Sequence, residues 1–212
     1  MQVNLNALCV RPALKSEEPR YRELMQQHHY LGDLSKIGHT LWYVATYAGE
    51  WSALLSFSAS AWKCGVRDRW IGWDFRHQFD RLNLIANNSR FLILPEWHYP
   101  NLGSKVLSLC HQRIAGDWQT HFGQPLLLLE TFVDPSRFHG TVYRAANWTC
   151  LGLARGFRRT REGYSVNAPS PKLFFILPLQ CDARAQISSP ILNPIYRTGA
   201  PRIMLTAQQM RT

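Results

Sequence analysis

The chain has 212 residues, 46% of them apolar and 18% charged, a composition typical of one globular domain and not of a disordered or fibrous protein. Its formal net charge of +10 favours an anionic partner. The longest apolar runs, at residues 125–129 and 173–179, are far shorter than the roughly 20 residues of a membrane-spanning helix, so we expect no membrane partner. No secretory signal is evident, and five cysteines without a CxxC motif indicate reduced thiols in a cytoplasmic protein.

The N-terminal part of the chain contains three predicted elements. Ser16, followed by two glutamates and a proline, is typical of a helix start, and Gly32 provides a left-handed residue beyond the helix end. Two runs rich in tryptophan, tyrosine, valine and leucine flank an Ala-Gly-Glu turn, which indicates a β-hairpin. The predicted elements are a strand at residues 4–10, a helix at 16–29 and hairpin strands at 41–47 and 52–58.

The middle of the chain predicts alternating helices and strands. Residues 59–73 show no period and predict a long loop packed on the sheet. Beyond it, apolar residues at three- and four-residue spacing indicate amphipathic helices, and continuous apolar runs indicate buried strands. The predicted helices cover residues 74–86, 102–122 and 141–148, with Asn87 and Asn88 capping the first, and the predicted strands cover 90–94, 126–133, 151–157 and 173–179.

The C-terminal part of the chain is rich in proline. Ser-Pro, Asn-Pro and Ala-Pro pairs interrupt it, and no helical or strand period continues. Such composition is typical of segments that do not pack. We therefore expect one folded domain over residues 1–182 and an irregular tail over 183–212.

Positive charge is concentrated between Arg137 and Lys172, where seven basic residues accompany one acidic residue, Glu162. Guanidinium groups bind phosphate in a bidentate manner and stack on bases, so this segment predicts a nucleic-acid surface. A solvated basic face or an acidic protein partner is the alternative. The candidate nucleic-acid-binding residues are Arg67, Arg144, Arg155, Arg158, Arg159, Arg161 and Lys172.

The predicted order, a hairpin followed by alternating strands and helices, gives an α/β fold: a mixed sheet with helices on both faces. This order resembles the GNAT acyltransferase fold, in which two central strands splay to admit acyl-CoA. Six sequence blocks, at residues 30–32, 41–62, 67–73, 88–95, 128–134 and 143–148, together resemble the Druantia anti-phage system protein A (DruA) family. The resemblance implies a role in phage defence or with mobile elements, with DNA, a nucleoprotein complex, or other defence-system or transposition proteins as partners.

The GNAT resemblance also implies a candidate acyltransferase site. Backbone amides at the start of the helix near residue 102 would hold the pyrophosphate of acyl-CoA, which makes Gly103 and Ser104 candidate cofactor-binding residues, although only one glycine of the usual Q/R-x-x-G-x-G/A pattern is present. Tyr143 lies near the position of a tyrosine general acid in many GNAT enzymes, and Glu130 is a candidate general base. Packing in the core is the alternative for Tyr143.

Glu130 interrupts an apolar strand, where an unpaired carboxylate costs several kcal/mol. We therefore predict either an ion pair, with Arg90 or Arg144, or a functional role. Asp134 ends the same strand and is a third candidate catalytic residue, with capping of the following turn as its alternative.

Two further interpretations concern metal ions and bases. Asp68, Asp74, Glu130 and Asp134 would offer oxygen ligands to Mg²⁺ for nuclease or strand-transfer chemistry, although their spacing does not require it. No histidine or cysteine metal site is predicted. The candidate base-stacking residues, with core packing as their alternative, are Trp62, Trp70, Trp73 and Trp97.

Overall fold

A computed structural model describes residues 4–36, 38–61, 63–73, 77, 80–154, 159–160, 163–164 and 170–197. The described strands are β1 (Leu8–Pro12), β2 (Thr40–Tyr47), β3 (Glu50–Ala59), β4 (Ile85–Ile93), β5 (Leu128–Val133), β6 (Thr149–Ala154), β7 (Arg159–Thr160), β8 (Gly163–Tyr164) and β9 (Lys172–Pro178). The described α-helices are α1 (Glu18–His28), α2 (Gly65–Ile71), α3 (Leu102–Phe122), α4 (Thr141–Ala145) and α5 (Ala183–Ser188).

Seven of these strands form one mixed sheet in the order β1-β2-β3-β4-β5-β9-β6. Neighbouring strands run antiparallel except β4 and β5, which are parallel. Residues adjacent in β5 and β9 point to opposite faces of the sheet, and they belong to two separate apolar clusters, Leu129 and Phe175 to one and Leu128 and Phe174 to the other. Both faces are therefore covered, and the predicted mixed α/β sheet is confirmed.

The hairpin of β2 and β3 lies where the sequence predicted it. Its turn residues Ala48 and Gly49 both have positive φ angles, of 48° and 86°, as a tight turn that matches the strand twist requires. Trp42, Tyr43 and Leu54 are buried, because α1 packs Tyr21 against Trp42 and α3 contacts β2. The hairpin thus forms a rigid part of the core.

Helix α3 matches the predicted helix over residues 102–122. The buried side chains Val106, Cys110, Ile114 and Trp118 recur at steps of four residues, which places them on one face toward the sheet. Gly123, with φ of 64°, ends the helix. Among the described helices, none is both long and apolar enough to cross a membrane.

Two predicted elements are wrong in part. Residues 65–71 form α2 and not the predicted loop. The inward face of this helix carries Arg67 and Asp68, both buried. The sequence therefore lacks the apolar stripe that usually indicates a helix. The predicted helix over 74–86 does not continue to its end, since β4 begins at Ile85 in order to pair with β3 and β5. The asparagines at 87 and 88 lie within β4 and do not cap a helix.

The predicted irregular tail is wrong over its first residues, which form α5. Ala183, Ile187 and Leu192 are buried in the same apolar cluster as Phe174. Arg81 supports this segment by donating a hydrogen bond to the Ile187 carbonyl at 2.5 Å. The chain up to Leu192 therefore packs with the sheet, and the predicted tail from residue 198 lies outside the described residues.

Candidate functional site

A cleft opens where β4 and β5 diverge. The two strands pair only over Ile85–Asn87 and Leu128–Glu130, and the remainder of each strand lines a cavity of about 1550 Å³. Small-molecule pockets commonly measure about 300–1,000 Å³. The cleft is therefore large enough for an extended ligand.

A β-bulge lies in β4 at the wall of this cleft. Arg90 pairs with Ser56 whereas Asn88 pairs with Phe57, so Ser89 is the extra residue that the ladder does not accommodate. The Asn88 side-chain amide donates to the carbonyls of Ser56 and Arg90, each at 3.0 Å. Asn88 thus bridges the bulge and fixes the backbone beside the cleft.

Tyr143 completes this polar network. Its hydroxyl donates to Asn88 Oδ1 at 2.7 Å, its ring packs against Phe175 and Trp148, and only 7% of the residue is exposed. Burial raises the pKa of its hydroxyl to about 12. The geometry gives Tyr143 a structural role, and its predicted part as a general acid stays a prediction.

Replacement of this hydroxyl provides a direct test. We expect Tyr143→Phe to lower the free energy of unfolding by about 1–3 kcal/mol. The variant removes the hydroxyl that donates to Asn88 Oδ1, and this buried oxygen is then left without that hydrogen bond. Urea unfolding followed by tryptophan fluorescence measures the change. Tyr47→Phe, at a half-buried tyrosine on the edge of the core, is the matched control, and an equal change in both variants would contradict the assignment.

Glu130 lies in a buried ion-pair cluster. Arg67 Nη1 donates to its two carboxylate oxygens at 3.1 and 3.3 Å, and Ser60 Oγ donates at 2.5 Å. Arg67 also bonds Asp68 at 3.0 Å. Burial by itself would lower the pKa of Arg67, but the carboxylates of Glu130 and Asp68 raise it by more. The pKa of Arg67 is therefore raised, and its guanidinium group stays charged.

This cluster corrects two predictions. The predicted ion pair of Glu130 exists, but its partner is Arg67 and not Arg90 or Arg144, since α2 brings Arg67 under β5. Arg67 itself was predicted to contact nucleic acid. Its side chain has no exposed surface, so a phosphate backbone cannot reach it. Glu130, 3% exposed and bonded to Arg67 and Ser60, is held as a structural anion, and the structure gives no support to its predicted part as a general base.

The described acidic residues among those proposed for Mg²⁺, namely Asp68, Glu130 and Asp134, form no common metal site. No group of three histidine, cysteine, aspartate or glutamate side chains in the described parts of the chain is placed to hold a metal ion. Arg67 occupies the space beside Asp68 and Glu130, and Asp74 lies outside the described residues. Asp134 Oδ1 instead accepts hydrogen bonds from the Ser136 amide and hydroxyl, which lower the pKa of its carboxyl and identify it as the cap of its turn.

The loop between β4 and α3 offers few amides to a pyrophosphate. The amides of Trp97, Tyr99 and Leu102 donate to carbonyls within the loop or at its start, and prolines at positions 95 and 100 have no N–H. An amide cradle that holds phosphate at a helix start uses such donors. The cradle that the GNAT resemblance implied would therefore depend on the first amides of α3.

Gly103 has a packing role at the start of α3. A Cβ atom at this position would lie 2.9 Å from side-chain atoms of Ile93 and Val142, so the glycine permits close approach of α3 to its neighbours. Ser104 Oγ donates to the Asn101 carbonyl within the first turn. The predicted contacts of Gly103 and Ser104 with a cofactor stay a prediction.

The cleft carries a strong positive charge. Among its described lining residues four are permanently cationic, Lys63, Arg69, Arg90 and Lys172, and Asp134 is the acidic one. Of these, the sequence analysis named Lys172 as nucleic-acid-binding. Lys63, Arg69 and Arg90 were not among the predicted nucleic-acid-binding residues, because they lie outside the basic segment between Arg137 and Lys172.

The remaining predicted basic residues are only partly described. Arg144 is exposed, donates to the His139 carbonyl and lies over the Phe175 ring, outside the described lining of the cleft. Arg155, Arg158 and Arg161 lie outside the described residues, and Arg159 is described only by its backbone in β7. The segment that contains them leaves the sheet at Ala154 and returns at Lys172, and both of these residues line the cleft.

Aromatic rings at the cleft differ from those predicted. Trp73 and Trp97 are buried in the core, Trp70 lies under the guanidinium of Arg184, and Trp62 lies outside the described residues. The exposed rings that line the cleft are Tyr30, 39% exposed, and Phe138, 51% exposed. Neither ring was predicted as a contact, and the sequence signal that could have identified Tyr30 is its place in one of the blocks that carry the family resemblance.

Comparison with known proteins confirms the fold and identifies a family. The family model described as Druantia protein DruA matches residues 2–164, whereas no curated protein matches. Aminoglycoside acetyltransferase AAC(6')-Ib in complex with coenzyme A superposes with a TM-score of 0.54 at 13% identity, over 84% of this chain and 98% of that chain. Spermidine N-acetyltransferase from Vibrio cholerae, in complex with CoA and spermine, gives 0.50 at 9% identity, over 82% and 96%. These likenesses show the GNAT fold.

Proposed function

This chain belongs to the Druantia protein DruA family, and from that membership we propose that it serves anti-phage defence by binding DNA or a nucleoprotein complex. The binding surface consists of the cleft and the arginine-rich segment of residues 155–172 that begins and ends beside it. Other defence-system or transposition proteins are the partners that this role implies. The proposal rests on one observation, the cationic lining of the cleft.

The described lining of the cleft carries four cations and one carboxylate. Such a concave surface attracts a polyanion, because walls of low dielectric concentrate the field of like charges. Arg90 is held in place, since its Nε donates to the Gly32 carbonyl at 3.1 Å and Nη1 to the Ser89 carbonyl at 2.8 Å. Lys172 opens β9, immediately after the arginine-rich segment. The arginine-rich segment is therefore joined to the cleft lining at both of its ends, Ala154 and Lys172.

Salt-dependent binding tests this function. A labelled duplex of about 25 base pairs is titrated at several salt concentrations, and we expect log affinity to fall by about 0.9 per phosphate contact for each unit of log salt concentration. Lys63→Gln combined with Lys172→Gln should reduce that slope. Lys15→Gln combined with Lys105→Gln, which removes the same charge outside the described cleft lining, is the control. A flat salt response, or equal slopes in the two double variants, would contradict the proposal.

Acyl-CoA-dependent acyl transfer is a second candidate function. It is favoured by the open slot between β4 and β5 and by the presence of coenzyme A in a solved structure of the same fold. Against it, the amides of Trp97, Tyr99 and Leu102 before α3 already donate to carbonyls. Acetyl-CoA at a hundred times its dissociation constant stabilises a protein by about 2.7 kcal/mol. A clear rise in melting temperature with acetyl-CoA would therefore favour acyl transfer, and no rise is the result we expect.

A further inference from the structure

We infer that the cleft binds a single strand of nucleic acid in preference to a duplex. This inference rests on the proposed function, since it specifies the polymer that the same surface takes. It follows from the width of the slot, from the two exposed rings at its mouth and from the way these rings are held.

The slot is narrow because it lies between two neighbouring strands of one sheet. At the last paired residues, Asn87 and Glu130, the separation is that of hydrogen-bonded strands, about 4.8 Å, and the opening widens from there toward Ile93 and Val133. An extended single strand can enter such a wedge. A duplex, whose major groove alone is about 12 Å wide, cannot reach the narrow end of the wedge.

The exposed rings at the mouth provide stacking surfaces. The centroids of Tyr30 and Phe138 lie 5.6 Å apart with their planes tilted by 56°, so the two rings present different faces to the solvent. Every base has a π-face, and proteins that bind single strands combine aromatic platforms with a basic groove. In a duplex the bases are already stacked on each other, so rings of this kind contribute to binding only when the strand is unpaired.

The ring-bearing segment is held against the basic wall of the cleft. Arg90 donates to the Gly32 carbonyl, and the side-chain carbonyl of Gln26 accepts from the Asp33 amide at 3.1 Å. The Arg137 guanidinium lies 5.0 Å from the centroid of the Tyr30 ring, and the His29 ring stacks on Tyr30 with centroids 4.9 Å apart. The Tyr30 ring is therefore held in a fixed position in the lining of a cleft that also contains Arg90.

The test compares a labelled thymidine oligonucleotide of about 20 nucleotides with the duplex, using the full chain and fluorescence anisotropy over a range of salt. We expect Tyr30→Ala combined with Phe138→Ala to weaken binding of the oligonucleotide by about tenfold or more. The salt slope should stay unchanged, because no phosphate contact is removed, and duplex binding should stay unchanged as well. Tyr30→Phe retains the ring and should bind like the wild type.

Ile191→Ala combined with Ile195→Ala is the control, since these side chains are exposed and lie outside the described cleft lining. Phe138→Leu, which removes a ring but keeps an apolar side chain at an exposed site, replaces the double variant if that variant has a lowered melting temperature. Unchanged oligonucleotide affinity in the ring variants, or equal competition by duplex, would overturn the inference while salt-dependent duplex binding keeps the proposed function. Absence of salt-dependent binding to either polymer would overturn both.

Discussion

Arg67→Met should lower the free energy of unfolding by about 3–5 kcal/mol, the largest stability change that we expect from a single substitution in this chain. Arg67 lies inside the protein with Glu130 and Asp68, and all three are buried. Methionine fills much of the same volume but leaves two carboxylates without their cation. An uncompensated buried charge is far more costly than a missing exposed ion pair, because the interior does not solvate it.

Urea unfolding measures this effect, and Arg11→Met provides the matched control. Arg11 pairs with Glu17 at 2.6 Å, but 37% of its side chain is exposed, and exposed pairs contribute about 1 kcal/mol or less. Arg67→Met combined with Glu130→Gln should recover part of the loss, because the buried carboxylate at position 130 is then replaced by a neutral amide. A loss below about 1 kcal/mol in Arg67→Met would show that water solvates the cluster and that Glu130 is available for chemistry after all.

Elements whose buried face is apolar were predictable from the sequence. The β2–β3 hairpin, α3 and the central strand β5 all appear where expected, since continuous or periodic apolar residues determine which side of each element faces the core. Helix α2 was missed because its inward residues include a buried arginine and an aspartate. Their burial depends on Glu130, which is distant in sequence, and no local pattern reports such a partner.

The candidate site was predictable only in part for the same reason. A carboxylate in an apolar strand correctly indicated an ion pair for Glu130, but the identity of its partner depends on how α2 packs under the sheet. The cleft joins Lys63, Arg69, Arg90 and Lys172 from three separate stretches of chain. Only the splay of β4 from β5 brings those stretches together, and a sequence does not display where two strands cease to pair.

The chain combines a GNAT fold with a cleft whose described lining is cationic. The predicted acid, Tyr143, bonds Asn88, and the predicted base, Glu130, bonds Arg67. Three amides of the loop that would hold pyrophosphate donate to carbonyls of the loop or its start. These contacts and the basic lining are the reasons why we propose binding of a larger anion. In that proposal the arginine-rich segment of residues 155–172 provides most of the binding energy.

Replacement of Arg155, Arg158, Arg159 and Arg161 together by glutamine should therefore cause the largest loss of DNA binding. At about 0.15 M salt each phosphate contact is worth about fivefold in affinity, so removal of all four would weaken duplex binding by up to roughly 600-fold. The log-log salt slope should fall by up to about 0.9 for each phosphate that the variant no longer neutralises. Phosphates are the same in every DNA sequence, so the weakening should be uniform among duplexes of different sequence.

The matched control for this variant replaces Arg20, Arg22, Arg184 and Arg197 by glutamine. These four arginines are exposed, lie outside the described lining of the cleft and carry the same total charge, so long-range attraction changes equally in both variants. If the two variants weaken binding to the same degree, net charge alone explains the affinity and the segment has no direct contact with phosphate. If only the segment variant loses both affinity and slope, the arginines contact the DNA backbone themselves, and the slope then counts those contacts.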